Sequence, residues 1–103
     1  GFDFDEKDIL KIEQESEEYF FYLNSDNLYV LNYLKSLRDS EIGLGKKQYE
    51  LAMSLIGLVV LSEYKELEKK NIDIDGLGEY SKAYTRTLSP IIMSVIRDIA
   101  REI

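Results

Sequence analysis

The sequence predicts an all-α domain: a compact bundle of about five helices around one central apolar helix, Lys46 to Lys70. Three observations predict it. From Tyr49 to Tyr64 apolar residues fall on nearly every side of a helical projection, among them Leu51, Met53, Leu55, Ile56, Leu58, Val60 and Leu61. A helix apolar all round is ordinarily buried. Ser89-Pro90 joins a cap residue to a proline suited to a first helical position, and an isoleucine-rich stripe follows. From Asp5 to Tyr22 apolar residues recur at helical spacing with acids opposite.

Gly1 to Phe4 is a lead-in. The first helix, Asp5 to Tyr22, places Ile9, Ile12, Ser16, Tyr19, Phe20 and Leu23 on one broad face. Its aromatic run Tyr19-Phe20-Phe21-Tyr22 suits a core, with stacking on bases as the functional alternative. Asn24-Ser25-Asp26 is a break carrying a helix cap. Leu28 to Arg38 forms the next helix, turning Leu28, Val30, Leu31, Leu34 and Leu37 to the core. Arg38 at its end complements the helix dipole. Asp39 to Gly45 is a loop, and the long apolar helix runs from there to about Lys70. Val59 and Val60 would suit a strand, but the length of the segment and the charged continuation Glu63 to Lys70 favour helix.

Asn71 to Gly76 is a turn-rich connection. Asp73 and Asp75 do not make it an EF-hand, since the 12-residue frame with its terminal Glu is missing. Leu77 to Thr87 is a shorter helix with Tyr80, Ala83 and Tyr84 near one face. After Ser89-Pro90 the last helix carries Ile91, Ile92, Val95, Ile96, Ile99 and Ile103 as its stripe. Arg97 and Arg101, four apart, form either a small basic strip or a solvated face.

The 103 residues suffice for one domain, 1–103. The start at Gly1 fits an excised domain or a trimmed chain. No Cys is present, which excludes disulfides and thiolate metal sites, and the lack of His argues against zinc. No targeting segment or run long enough for a bilayer is visible, so no membrane partner and a cytoplasmic location are expected. The abundance of Lys, Glu, Ile and Tyr suits a thermophile. The net charge of −7 weighs against nucleic acid, but residues 1–22 hold eight of the twenty acids and only two of the thirteen bases. The body is nearly neutral and has room for a local basic pocket.

The one basic cluster near glycines is Gly43-Leu44-Gly45-Lys46-Lys47, at the expected start of the apolar helix. A helix start exposes N–H groups and disfavours cations, while glycines let the backbone approach a ligand closely. Free N–H groups and two ammonium groups make an anion site, suited to a triphosphate or a nucleic-acid phosphate. The plain alternative is a pair of solvated lysines. The stretch is not a P-loop, because the GxxxxGK[ST] frame is missing. No nucleophile–base pair and no isolated acidic pair is evident, so an independent enzyme is not expected.

Leu37-Arg38, the run Gly43 to Lys47, Gln48-Tyr49 and Gly57-Leu58 resemble the C-terminal, iron–sulfur domain of the large subunit of archaeal and eukaryotic DNA primases. In that family a helix ends in a leucine-arginine pair, a polar glycine-bearing loop with a basic residue follows, and a "QY" step opens an apolar helix. The family's cluster cysteines would fall near Tyr29 and Ser89-Pro90. A chain without Cys cannot hold such a cluster. The cluster-free members are non-catalytic third primase subunits of thermophilic archaea. The resemblance implies an accessory subunit that helps to initiate primers. It would bind the initiating nucleotide triphosphate, the single-stranded DNA template, or both, beside the primase catalytic and large subunits. Arg38, Gly43, Gly45, Lys46 and Lys47 would hold the phosphates, with no cofactor, no metal and no catalytic residue of its own. The alternative is a helical protein–protein interaction module that docks through its acidic first helix or its last helix.

Overall fold

The computed structural model describes the backbone of residues 4–102 and the side chains of residues 4–98. The lead-in Gly1 to Asp3 and the side chains of Ile99, Arg101 and Ile103 lie outside those. The chain runs β1 (Leu10–Glu15), β2 (Glu18–Leu23), α1 (Leu28–Lys35), α2 (Asp39–Lys69) and α3 (Leu77–Glu102). The expected all-α bundle of about five helices is therefore corrected to an antiparallel β-hairpin and three helices.

The expected first helix is the hairpin. Its strands pair in register from Leu10 opposite Leu23 to Glu15 opposite Glu18. Leu10 and Ile12 are fully buried while Lys11 and Glu13, each next along the strand, are not, a period of two. The partner strand is aromatic-rich, the composition that fits a pleated, half-buried surface. Of the two turn residues only Ser16 has positive φ, 60°, which matches a II′ turn.

The expected loop before the apolar helix is helical. Helix α2 starts seven residues earlier than Lys46, with Asp39 and Glu41 in its first turn, where acids suit the dipole. Glu41 Oε1 accepts the Arg38 N–H at 3.0 Å. At its other end Asn71 adopts φ 57°, and Ile72 N–H donates to the Leu67 carbonyl at 3.1 Å. This is a Schellman stop, so the Asn71 turn falls where the sequence placed it.

The two expected C-terminal helices are one. Pro90 sits inside α3 rather than at a new start. It is exposed, and its ring leaves the Arg86 carbonyl without a helical N–H. Ser89 is not a cap but a buried contact: its Oγ accepts from Asn27 Nδ2 at 2.9 Å.

Asn27 is the true cap of α1, its Oδ1 accepting from the N–H groups of Tyr29 and Val30. Its amide also donates to the Asp8 carbonyl, as does Asn24 Nδ2. Two buried asparagines thus tie the hairpin's lead-in, α1 and α3 together. The core gathers Ile9, Leu10 and Ile12 of the hairpin with Val30, Tyr33, Tyr49, Met53, Val60, Ile92 and Ile96. The helix α3 lies along the outer edge of β1. There Ser81 Oγ accepts the Ile12 N–H at 2.8 Å, and the Thr85 hydroxyl shares its proton between the Ser81 and Leu10 carbonyls.

Candidate functional site

The five residues expected to hold phosphates are not brought together. Arg38 caps α2 and is exposed. Lys46 lies eight residues further on, about 12 Å along the axis. Gly43 has open space around it, whereas Gly45 is buried, and a Cβ there would meet Leu37 Cδ1 at 2.5 Å. Gly45 lets the end of α1 close onto α2. Lys46 and Lys47 sit two turns inside the helix, where their N–H groups belong to the helical ladder. As neighbours in a helix they point about 100° apart. Lys46 lines a groove with Asp26, Glu50, Leu23 and Leu34, and Lys47 stands exposed elsewhere on the helix.

Arg97, noted in the sequence, lines two adjoining hollows of about 210 and 440 Å³ between α1 and the facing parts of α2 and α3. Tyr33 and Ser36 border both. The only ion pair that Arg97 makes among the described residues is a long one, 3.9 Å, to Asp98. Asp8, by contrast, is buried and fully engaged: Arg86 Nη1 donates to it at 3.0 Å and to Asp5 at 2.6 Å. The guanidinium of Arg86 holds the Asp5 carboxyl below its ordinary value. Burial pushes the Tyr49 phenol upward, and it donates to the Asn24 carbonyl as a structural contact. Among the described residues no group of three or more acids gathers where it could hold a metal ion.

The largest unexplained feature is apolar. Helix α2 is not enclosed: Leu51, Leu55, Leu58 and Val59 are 57–64% exposed, and so is Leu44. Leu44, Gln48, Leu51, Leu55, Leu58 and Ser62 follow one another at alternating spacings of four and three, the a/d seam of a coiled coil. On α3 a second seam runs through Tyr84, Leu88, Ile91 and Val95, with Ile91 and Val95 more than half exposed. The two helices pack side by side, joined at one end by Tyr64 against Tyr80 at 5.3 Å. Ala52 and Ile56 of α2 and Leu88 of α3 are half-buried against the core. The hairpin packs on the opposite side, where a Cβ on Gly57 would meet the Phe21 ring at 2.7 Å.

Five large apolar residues of α2 and two of α3 standing more than half exposed go beyond the scattered single residues normal on a monomer. The 4–3 spacing was readable in the sequence. Its exposure was not, because all-round apolarity also describes an enclosed helix. Among the described residues no helix is long and apolar enough to cross a membrane. Comparison with protein-family models, with curated proteins and with solved structures finds no match to this chain.

Proposed function

We propose that the chain is a non-catalytic interaction module that assembles through its α2–α3 face, and that the occupant of this face is a second copy. The observation that carries it is the exposed leucine seam. The proposed two-fold passes through Leu55. In an antiparallel pairing Leu51 then falls opposite Val59 and Gln48 opposite Ser62. The centre is apolar and both ends are polar, the arrangement of an isologous interface with a polar rim. Two helical hairpins stacked on this face close a four-helix bundle.

Sedimentation equilibrium at tens of micromolar tests it. The protein is expected at the mass of two chains of 12.0 kDa each, and Leu55→Glu/Leu58→Glu at the mass of one, with unchanged helical circular dichroism. A monomeric parent, or a dimer that survives the double substitution, contradicts the proposal.

A second reading comes from the primase resemblance. Its support is the sequence of Leu37-Arg38, Gly43 to Lys47, Gln48-Tyr49 and Gly57-Leu58. In it the chain binds a nucleotide triphosphate or single-stranded template as an accessory subunit beside the primase catalytic and large subunits. Titration with ATP separates the two. Salt-sensitive binding that Lys46→Ala/Lys47→Ala abolishes favours the primase reading, and a flat titration of the parent contradicts it.

A further inference from the structure

The two edges of the hairpin are treated in opposite ways. In the antiparallel register the N–H of Asn24 donates to the carbonyl of Ile9 at 3.0 Å. Pairs then alternate, so Lys11 with Tyr22 and Glu13 with Phe20 exchange backbone bonds across the hairpin. The residues between them point their backbone groups outward. On β1 these are Leu10 and Ile12, and α3 meets both: Ser81 takes the Ile12 N–H and Thr85 reaches the Leu10 carbonyl. On β2 they are Tyr19, Phe21 and Leu23. Among the described residues no hydrogen bond from another element reaches the backbone of these three.

The β2 strand itself carries few of the usual protections, although Lys65 of α2 stands over the Tyr19 ring at 4.7 Å. The strand Glu18-Tyr19-Phe20-Phe21-Tyr22-Leu23 holds no Lys, no Pro and no bulge. Beside it lies a groove of about 650 Å³, lined by Phe21 and Leu23 of the strand and by Val30, Leu34 and Tyr49 of the helices. That volume takes a few residues of chain, not a folded domain. A second copy of β2 would bring its own helices against the same groove. Charge completes the description. The hairpin tip exposes Glu15, Glu17 and Glu18, and Asp26 and Glu50 border the groove against the single Lys46.

We infer that the β2 edge is a strand-addition site for an extended segment of another protein, with alternating apolar side chains and basic residues at its ends. The segment pairs with the outward N–H and C=O groups of Tyr19, Phe21 and Leu23. Its inward side chains rest on Val30, Leu34 and Tyr49. Its basic residues meet the acids at the hairpin tip and at Asp26 and Glu50. This site lies apart from the α2–α3 face and does not depend on self-assembly.

The probe is a blocked eight-residue peptide alternating valine and threonine between terminal lysines, titrated into the ¹⁵N-labelled protein. Amide shifts are expected to concentrate at Tyr19, Phe21 and Leu23, with slower hydrogen exchange of those three amides in the complex. A peptide N-methylated at the positions facing β2 is expected to bind at least tenfold more weakly, and Leu34→Asp is expected to weaken the parent peptide. Equal binding of the N-methylated peptide, shifts confined to α2 and α3, or no binding at millimolar peptide would overturn the inference. So would exchange protection of the three amides that rises with protein concentration in the absence of peptide, because the edge would then belong to a second copy.

Discussion

Along α3 three small hydroxyl residues one turn apart, Ser81, Thr85 and Ser89, have no exposed surface, while along α2 five large apolar residues stand more than half exposed. The first set is polar and inside; the second is apolar and outside. Each hydroxyl has a partner across the interface: the Ile12 N–H, the Leu10 carbonyl and the Asn27 amide. Their small size lets α3 lie close against a strand edge, and their oxygens satisfy groups that an apolar helix would leave unpaired. The leucines have no such partner. Polar groups are buried here where they find partners, so the surface left unmatched is the apolar one, and that is where an interface is expected.

Breaking the polar side should have the largest effect. Asn27→Ala removes the cap of α1 and the amide that joins Asp8 to Ser89. It should destabilise the protein by about 3 kcal/mol, read as a lowered urea midpoint, since a lost cap and stranded buried groups add. A midpoint within error of the parent would show that α1 and α3 are held by apolar packing alone. Thr85→Val keeps the shape and deletes one shared proton. It should cost about 1 kcal/mol.

The apolar side should respond the other way. At submicromolar protein Leu51→Ser should shift stability by less than about 0.5 kcal/mol, as an exposed substitution does. At high concentration it should lower the melting temperature relative to the parent, because only the parent gains from association. A large loss at low concentration would mean that Leu51 is covered within a single chain.

How much of this was legible beforehand differs between the regions. The helices around Leu31 and from Tyr49 to Lys70 were recognised, and so was the stop at Asn71, because capping and periodicity are local. The hairpin was not. Ile9, Ile12 and Tyr19 fit a helical face, while Leu10 and Ile12, then Tyr19, Phe21 and Leu23, fit alternation within the same residues. What decides between them is 69 residues away: Ser81 supplies the acceptor for the Ile12 N–H. Its two glycines make Asp39 to Gly45 read as a loop, yet the acids Asp39 and Glu41 suit a first turn. Gly45 proves to be a packing residue, set by its neighbour Leu37. Pro90 looked like a start because Ser89 precedes it, yet the contact of Ser89 is with Asn27. As for the site, the sequence points to Arg38, Gly43, Gly45, Lys46 and Lys47, which the fold does not bring together, and it reads the exposed leucines Leu51, Leu55 and Leu58 as core.

The smallest expected effect concerns charge at the hairpin's root. Arg86 lowers the Asp5 carboxyl below its ordinary value of 3.8. A depressed carboxylate adds stability above its unfolded value, and that stability is lost as pH falls through the folded one. Asp5→Asn should therefore melt slightly earlier than the parent near neutrality, and the two should converge as pH falls below 3.8. A difference that persists at acid pH would assign the effect to the Asp5 backbone contacts.

The central claim is that the α2 seam meets its own copy about Leu55. The chain has no cysteine, so Leu55→Cys introduces a single thiol, placed where the two-fold brings its counterpart within the roughly 7 Å between Cα atoms that a disulfide spans. Under mild oxidation Leu55→Cys should form a covalent dimer quickly and nearly completely, while Gly43→Cys, also exposed but off the axis, should stay monomeric. Slow, partial cross-linking of Leu55→Cys at the same rate as Gly43→Cys would contradict the account.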